Sequence, residues 1–208
     1  MFDALFTTTT EYKKLSHALS GKGACALFGL PASGRAQVYA ALCRQLDKPL
    51  CIVTPGEAEA TRFAADLNTL GIPAAVFPAR DYVLRPIEGT AREYEYRRLA
   101  VLGELVGGRL RAVAVPAEAL TQFTTPKEDF CANTRTLHAG DTLLRDDLLA
   151  ALFGAGYTRR AQVDGPGQFS VRGDIVDIFA PDQKMPVRME FWGDEIDTLH
   201  TFDLTTQR

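Results

Sequence analysis

A chain of 208 residues with 46% hydrophobic and 24% charged residues has the make-up of an ordinary water-soluble globular protein of one or two domains. No apolar run approaches the roughly 18 residues a membrane span needs, and the start, Met1-Phe2-Asp3-Ala4-Leu5 and four threonines, lacks the parts of a signal peptide, so a cytoplasmic protein without a membrane partner is expected. The net charge of −3 divides unevenly: residues 1–116 carry 14 Lys and Arg against 11 Asp and Glu (+3), and residues 117–208 carry 9 against 15 (−6), which argues against a duplex-DNA reader in the second part.

Ala24-Cys25-Ala26-Leu27-Phe28, ending at Gly29, predicts a short buried strand. Gly34 to Leu46 follows as a helix, with Val38, Leu42 and Leu46 on one stripe. Leu50–Thr54 is a second strand closed by Pro55-Gly56. Residues 57–70 read as a helix with Phe63, Leu67 and Leu70 inward and Gly71 as its stop. Ala74–Phe77 is a third strand closed by Pro78. Arg92 to Leu105 is a helix with Leu99, Leu102 and Leu105 on one face, and Ala112–Val115 is a fourth strand closed by Pro116. Strands alternating with helices imply a parallel sheet covered on both faces.

Beyond residue 116 the pattern changes. A short helical stretch, 116–123, leads to a polar connector, 124–133. Residues 145–153 form a helix carrying Leu148, Leu149 and Leu152, stopped by Gly154 and Gly156. Two alternating segments follow, one with Phe169, Val171, Ile175, Ile178 and Phe179, the other with Val187, Met189, Phe191, Ile196, Leu199 and Phe202. With turns at Pro181-Asp182 and Gly193-Asp194, they predict antiparallel sheet in a second, α+β domain.

Cys25, Cys43, Cys51 and Cys131 have no ligand spacing, and Cys25 and Cys51 fall in runs read as buried strands, so reduced core thiols are expected. His17, His138 and His200 stand far apart. No metal site and no catalytic residue is expected.

The segment Gly29-Leu30-Pro31-Ala32-Ser33-Gly34-Arg35-Ala36 lies between a predicted strand and helix, where a phosphate loop reads GxxxxGK[ST]. Gly29 and Gly34 stand at the right spacing. The lysine that would reach the terminal phosphates is Arg35, and the hydroxyl that would hold magnesium is replaced by Ala36, which has no oxygen. The expected fold is therefore α/β, a RecA-like domain with a degenerate Walker A loop, and no ATP or magnesium is expected in this chain. Weak anion binding at the helix N-terminus stays open beside a plain glycine-bounded turn.

The second domain carries more specific text. Gly156-Tyr157-Thr158-Arg159-Arg160-Ala161-Gln162-Val163 runs into Gly165-Pro166-Gly167-Gln168-Phe169-Ser170-Val171-Arg172-Gly173-Asp174-Ile175-Val176-Asp177-Ile178-Phe179. Later come Pro186-Val187-Arg188-Met189-Glu190-Phe191-Trp192-Gly193-Asp194-Glu195-Ile196 and Phe202-Asp203-Leu204-Thr205-Thr206-Gln207-Arg208. This text closely resembles the UvrB family, and within it the UvrB-like module of bacterial transcription-repair coupling factors. The resemblance covers nearly the whole chain. It implies an α/β domain over 1–116 and a UvrA-binding α+β domain over 117–208. UvrB carries a long tyrosine-rich hairpin where this chain has only Pro78 to Ala91, with Tyr82 its sole aromatic. Lesion verification is therefore not expected.

The resemblance implies that the second domain docks onto UvrA, with Arg159 and Arg172 at the family's contact positions and Arg160 beside them. A further UvrB arginine corresponds to Ser170, so that contact looks lost. Phe179 is an apolar contact or a core residue. The three arginines could equally be solvated, or paired internally with Asp164, Asp174 or Asp177. The implied role is a monomeric, non-hydrolysing adaptor that recruits UvrA. The resemblance also implies that RNA polymerase, DNA, ATP and magnesium would be engaged by other domains of a longer translocase of which this is a fragment. Two other functions compete: an NTPase tolerating Arg35 and Ala36, and a nucleic-acid module using Arg80, Arg85, Arg92, Arg97 and Arg98. Those last arginines are interleaved with Asp81, Glu88, Glu93 and Glu95, which suits a solvated helix face.

Overall fold

The computed structural model describes residues 6–21, 24–46, 48–80 and 91–207, with 91 and 92 described by their backbone alone. These residues fall into two compact units, one of residues up to Tyr94 with Val101–Phe123, the other of Glu95–Ala100 with the residues from Thr124 onward.

The first unit is built on a parallel sheet of β1 (Leu50–Thr54), β2 (Ala74–Val76) and β3 (Ala112–Pro116), in the order β1-β3-β2. Central β3 is buried along its length, as an all-apolar run flanked by two parallel neighbours should be. Two helices, α2 (Ala32–Gln45) and α3 (Glu57–Thr69), supply Ala36, Ala40, Phe63 and Leu67 to a cluster with Ile52, Ala112 and Ala114. Against Val113 and Val115, on the opposite side, pack Val101 of α4 (Ala91–Val106) and Ala119 of α5 (Ala117–Leu120). That contact of Ala119 holds α5 in the first unit, which therefore extends through Phe123.

Two helices end by the same device. After α3, Gly71 takes φ 76°, with Gly71 N–H on the Asn68 carbonyl and Ile72 N–H on Leu67. In the second unit Gly156 takes φ 83°, with its N–H on Phe153 and Tyr157 N–H on Leu152. This pairing of bonds needs a left-handed residue, for which glycine carries no Cβ penalty. The helix of residues 145–154 therefore runs through Gly154 and is stopped by Gly156 alone.

Several sequence expectations are corrected. Residues 24–28 form no strand; all five are exposed, Phe28 at 87%. A five-residue apolar run is ambiguous by periodicity alone, and becomes a strand only where a ladder partner accepts it. Edge strand β1 is covered on one face: Ile52 and Thr54 are buried, Cys51 and Val53 exposed. Of the four cysteines only Cys43 is buried, and burial pushes its thiol up despite nearby Arg111 and Arg44. A helix not anticipated, α1 (Thr10–Ser20), lays Tyr12 and Leu15 on Val38, Ala41 and Leu42 of α2. The connector also holds a short helix, α6 (Lys127–Ala132), which follows Pro126 and carries Glu128 and Asp129 in its first turn.

The second unit is a five-stranded sheet of β4 (Thr158–Arg159), β5 (Gln168–Arg172), β6 (Ile175–Phe179), β7 (Val187–Trp192) and β8 (Glu195–Thr201), ordered as in the chain. It is mixed rather than wholly antiparallel, because β4 runs parallel to β5. Helix α7 (Arg145–Gly154) covers one face, where Leu148 and Leu152 meet Phe169, Val176, Met189, Phe191 and Ile196.

Candidate docking site

Little of the glycine-bounded segment is loop. Helix α2 already begins at Ala32, so Gly34 and Arg35 lie in its first turn, and Arg35 N–H bonds the Pro31 carbonyl at 3.1 Å. Ala32 and Ser33, between the two glycines, are thus helix rather than loop. Ala36 is 3% exposed and belongs to the apolar cluster. Arg35 lies 3.9 Å from Glu59. An open cleft of about 310 Å³ beside it is walled by Leu27, Phe28, Leu30 and Tyr39. Gly29 takes φ 81° at its floor.

The arginines of the second unit are placed by strand register. In β5 and β6, Phe169 with Ile178 and Val171 with Val176 face α7. Their alternates, Ser170 with Asp177 and Arg172 with Ile175, occupy the other face. Arg159 pairs with Phe169, which puts it on the α7 side of the β4 edge. Arg160 N–H bonds the Phe169 carbonyl at 2.8 Å, extending the register so that Arg160 stands beside Ser170, on the side of Arg172. Arg159 and Arg172 thus flank the edge from opposite faces. Arg159 and Arg160 are exposed and, among the described residues, have no ion pair.

Arg172 is different. Its Nη2 donates to Asp177 Oδ2 at 2.7 Å while its side chain stays 48% exposed. Asp177 is 1% exposed and also accepts a two-point bond from Arg188, Nε to Oδ1 at 2.7 Å and Nη2 to Oδ2 at 2.9 Å. Arg188 in turn donates Nη1 to the Gln207 carbonyl at 3.2 Å and lies 4.6 Å over the Phe202 ring. Burial alone would raise the Asp177 carboxyl, but the bonds and charges of Arg188 and then Arg172 outweigh it and hold it below the usual carboxylate range. Of the three aspartates considered for internal pairing, Asp177 takes Arg172, and Asp174 binds Arg145 at 3.1 Å.

Ser170 is 1% exposed, its hydroxyl 3.4 Å from Asp177 Oδ2, so this position belongs to the floor under the clamp. Phe179 is 7% exposed and, by register, lies on the same face of the sheet as Ser170 and Arg172. Trp192, the one tryptophan of the chain, is 82% exposed on the clamp's face of the sheet. Arg98, read as a solvated helix residue, is 7% exposed and donates to Thr124 Oγ1 at 2.6 Å. Tyr82 and Arg85, and with them most of the shortened hairpin region, lie outside the described residues. Among the described residues no helix is long and apolar enough to cross a membrane, and no cluster of side chains could hold a metal ion.

Residues 136–208 match the family model described as the UvrB interaction domain. Over 186 residues the chain is 38% identical to the transcription-repair-coupling factor of Mycobacterium tuberculosis, covering 86% of this chain and 15% of that protein. The coupling factor of Bacillus subtilis is 29% identical over 184 residues, covering 88% of this chain and 16% of that protein. UvrABC system protein B of Chlorobium limicola is 28% identical over 193 residues, covering 86% of this chain and 28% of that protein. The chain therefore spans only about a sixth of the length of the coupling factors it matches.

Proposed function

Residues 136–208 belong to the UvrB interaction domain family, within a chain similar to transcription-repair-coupling factors over most of its length, and from this premise we propose that the chain recruits UvrA to nucleotide excision repair. The observation that carries the reading is Arg172, half exposed at the end of β5 inside the matched domain, with guanidinium nitrogens left over after its bond to Asp177. Arginine suits a partner's carboxylates because its planar fork makes two charge-assisted bonds at once. Arg159 and Arg160 add exposed cations at the neighbouring β4 edge, and together the three bring positive charge to an otherwise acidic domain.

In a longer protein, this module would link UvrA to a stalled RNA polymerase, with polymerase and DNA held by other domains and ATP used by a translocase motor among them, all in the cytoplasm. The module itself acts as a non-hydrolysing adaptor. Support for that comes from the helical first turn at Gly34, the buried Ala36 and the ion pair of Arg35.

UvrA immobilised on resin is expected to retain the chain, and Arg172→Ala is expected to weaken binding about tenfold or more, as loss of an arginine hot spot does. No retention of either protein would sink the function, and equal retention would sink the residue assignment. Calorimetry with ATP and magnesium should register no magnesium-dependent binding; a micromolar dissociation constant that needs magnesium would overturn the adaptor reading.

A further inference from the structure

Arg172 could meet a partner as a loose surface side chain or as an aimed one, and the geometry favours the second. Asp177 is a buried anion flanked by two guanidinium groups, so the three carry a net charge of +1. The inner arginine, Arg188, is committed on all sides: Nε and Nη2 to Asp177, Nη1 to the Gln207 carbonyl, and its face to Phe202. Its side chain is 15% exposed. The outer arginine gives one nitrogen to Asp177 and, among the described residues, has no other hydrogen bond. Surplus charge and free donors are thus gathered on the more exposed of the two arginines. Fixing a long side chain before the encounter removes an entropy cost that would otherwise fall on binding.

We propose that Asp177 is a positioning residue for docking, held in place by Arg188, and that it fixes Arg172 so that its free nitrogens receive a carboxylate of UvrA. This inference rests on the docking role assigned to Arg172. Asp177 itself stays covered and touches no partner. The clamp also gives position 170 a reason to be small: Ser170, across the ladder from Asp177, lies against the carboxylate and leaves its outer side to Arg172.

The test is a double-substitution cycle on the 208-residue chain, read as affinity for UvrA at a temperature where circular dichroism shows every variant folded. Asp177→Asn keeps the shape and removes the charge; it is expected to weaken binding about two- to tenfold, the cost of ordering one free arginine side chain. In the Arg172→Ala background the same change is expected to have almost no further effect, because nothing remains to be positioned. A merely structural role for Asp177 would lower affinity equally in both backgrounds, and that result would overturn the inference while leaving the docking role of Arg172 intact. If Arg172→Ala binds as tightly as the parent chain, the docking role fails and the inference fails with it.

A second measurement covers the case in which Asp177→Asn does not fold. Nitrogen-15 spectra of the arginine side chains in the unmodified protein should show restricted guanidinium rotation for Arg172 and Arg188, against fast averaging for Arg159 and Arg160. Averaging of Arg172 as fast as that of Arg159 would overturn the proposal.

Discussion

Arg188→Ala should be among the most damaging single substitutions in the second unit, lowering its stability by about 3 kcal/mol and its melting temperature by roughly 10–20 °C. Arg188 supplies two of the three arginine bonds that compensate a carboxylate 1% exposed to solvent. Removing it leaves Asp177 with one bond, from an arginine that is itself half in water. The effect depends on pH in a definite direction. In the parent protein the Asp177 carboxyl sits below the value of about 3.9 it has in an unfolded chain, so its contribution is complete above that value and is lost as pH falls through the lower, folded one. In Arg188→Ala burial remains while its main opponent is gone, so the carboxyl shifts upward and takes a proton earlier. The stability gap between the two proteins should therefore narrow toward acid. Thermal melts between neutral pH and about pH 4 measure this, and a gap that widens would contradict the buried clamp.

Phe169→Ala should cost about 3–5 kcal/mol, the range for emptying a buried aromatic site. Phe169 has no exposed surface, lies at the centre of the cluster under α7, and meets Phe153 edge to face with centroids 5.1 Å apart. Phe153 is 55% exposed, so Phe153→Ala removes mainly the ring contact, worth about 0.5–1.5 kcal/mol. Urea unfolding of the two variants should give a large fall in midpoint for Phe169→Ala and a small one for Phe153→Ala, with similar slopes. Equal falls would contradict the placement of Phe169.

Much of this architecture is legible in the residues, and the failures have physical causes. Helix α3 announces itself through Phe63 and Leu67 and its glycine stop, and β3 through an unbroken apolar run before a proline. The strands β5 to β8 show the period-two pattern that one buried face imposes. Helix α1 is hidden by the run Thr7–Thr10, in which Thr9 is the cap, accepting from Tyr12 N–H at 3.3 Å. The run 24–28 misleads because apolar content does not say whether a ladder partner exists. At the candidate site the arginines are conspicuous in sequence, but which face each occupies depends on the parallel pairing of a two-residue strand, which no local pattern encodes. The clamp is less visible still. Asp177 is within reach of Arg172 along the hairpin, yet its stronger partner, Arg188, comes from the next strand through the register Asp177↔Arg188.

The early start of α2 bears on evolutionary reversibility. Writing lysine and serine back at positions 35 and 36 would recreate the text of a working loop without its shape. The backbone from Ala32 onward is already helical, and a hydroxyl at 36 would enter an apolar cluster with Ala40, Ile52 and Phe63, at about 1–3 kcal/mol if it found no partner. Each restoring step would then be disfavoured before any nucleotide could reward it. Nucleotide chemistry at this position would therefore require unwinding the start of α2 as well as rewriting residues 35 and 36, two changes of different kinds that no single substitution supplies.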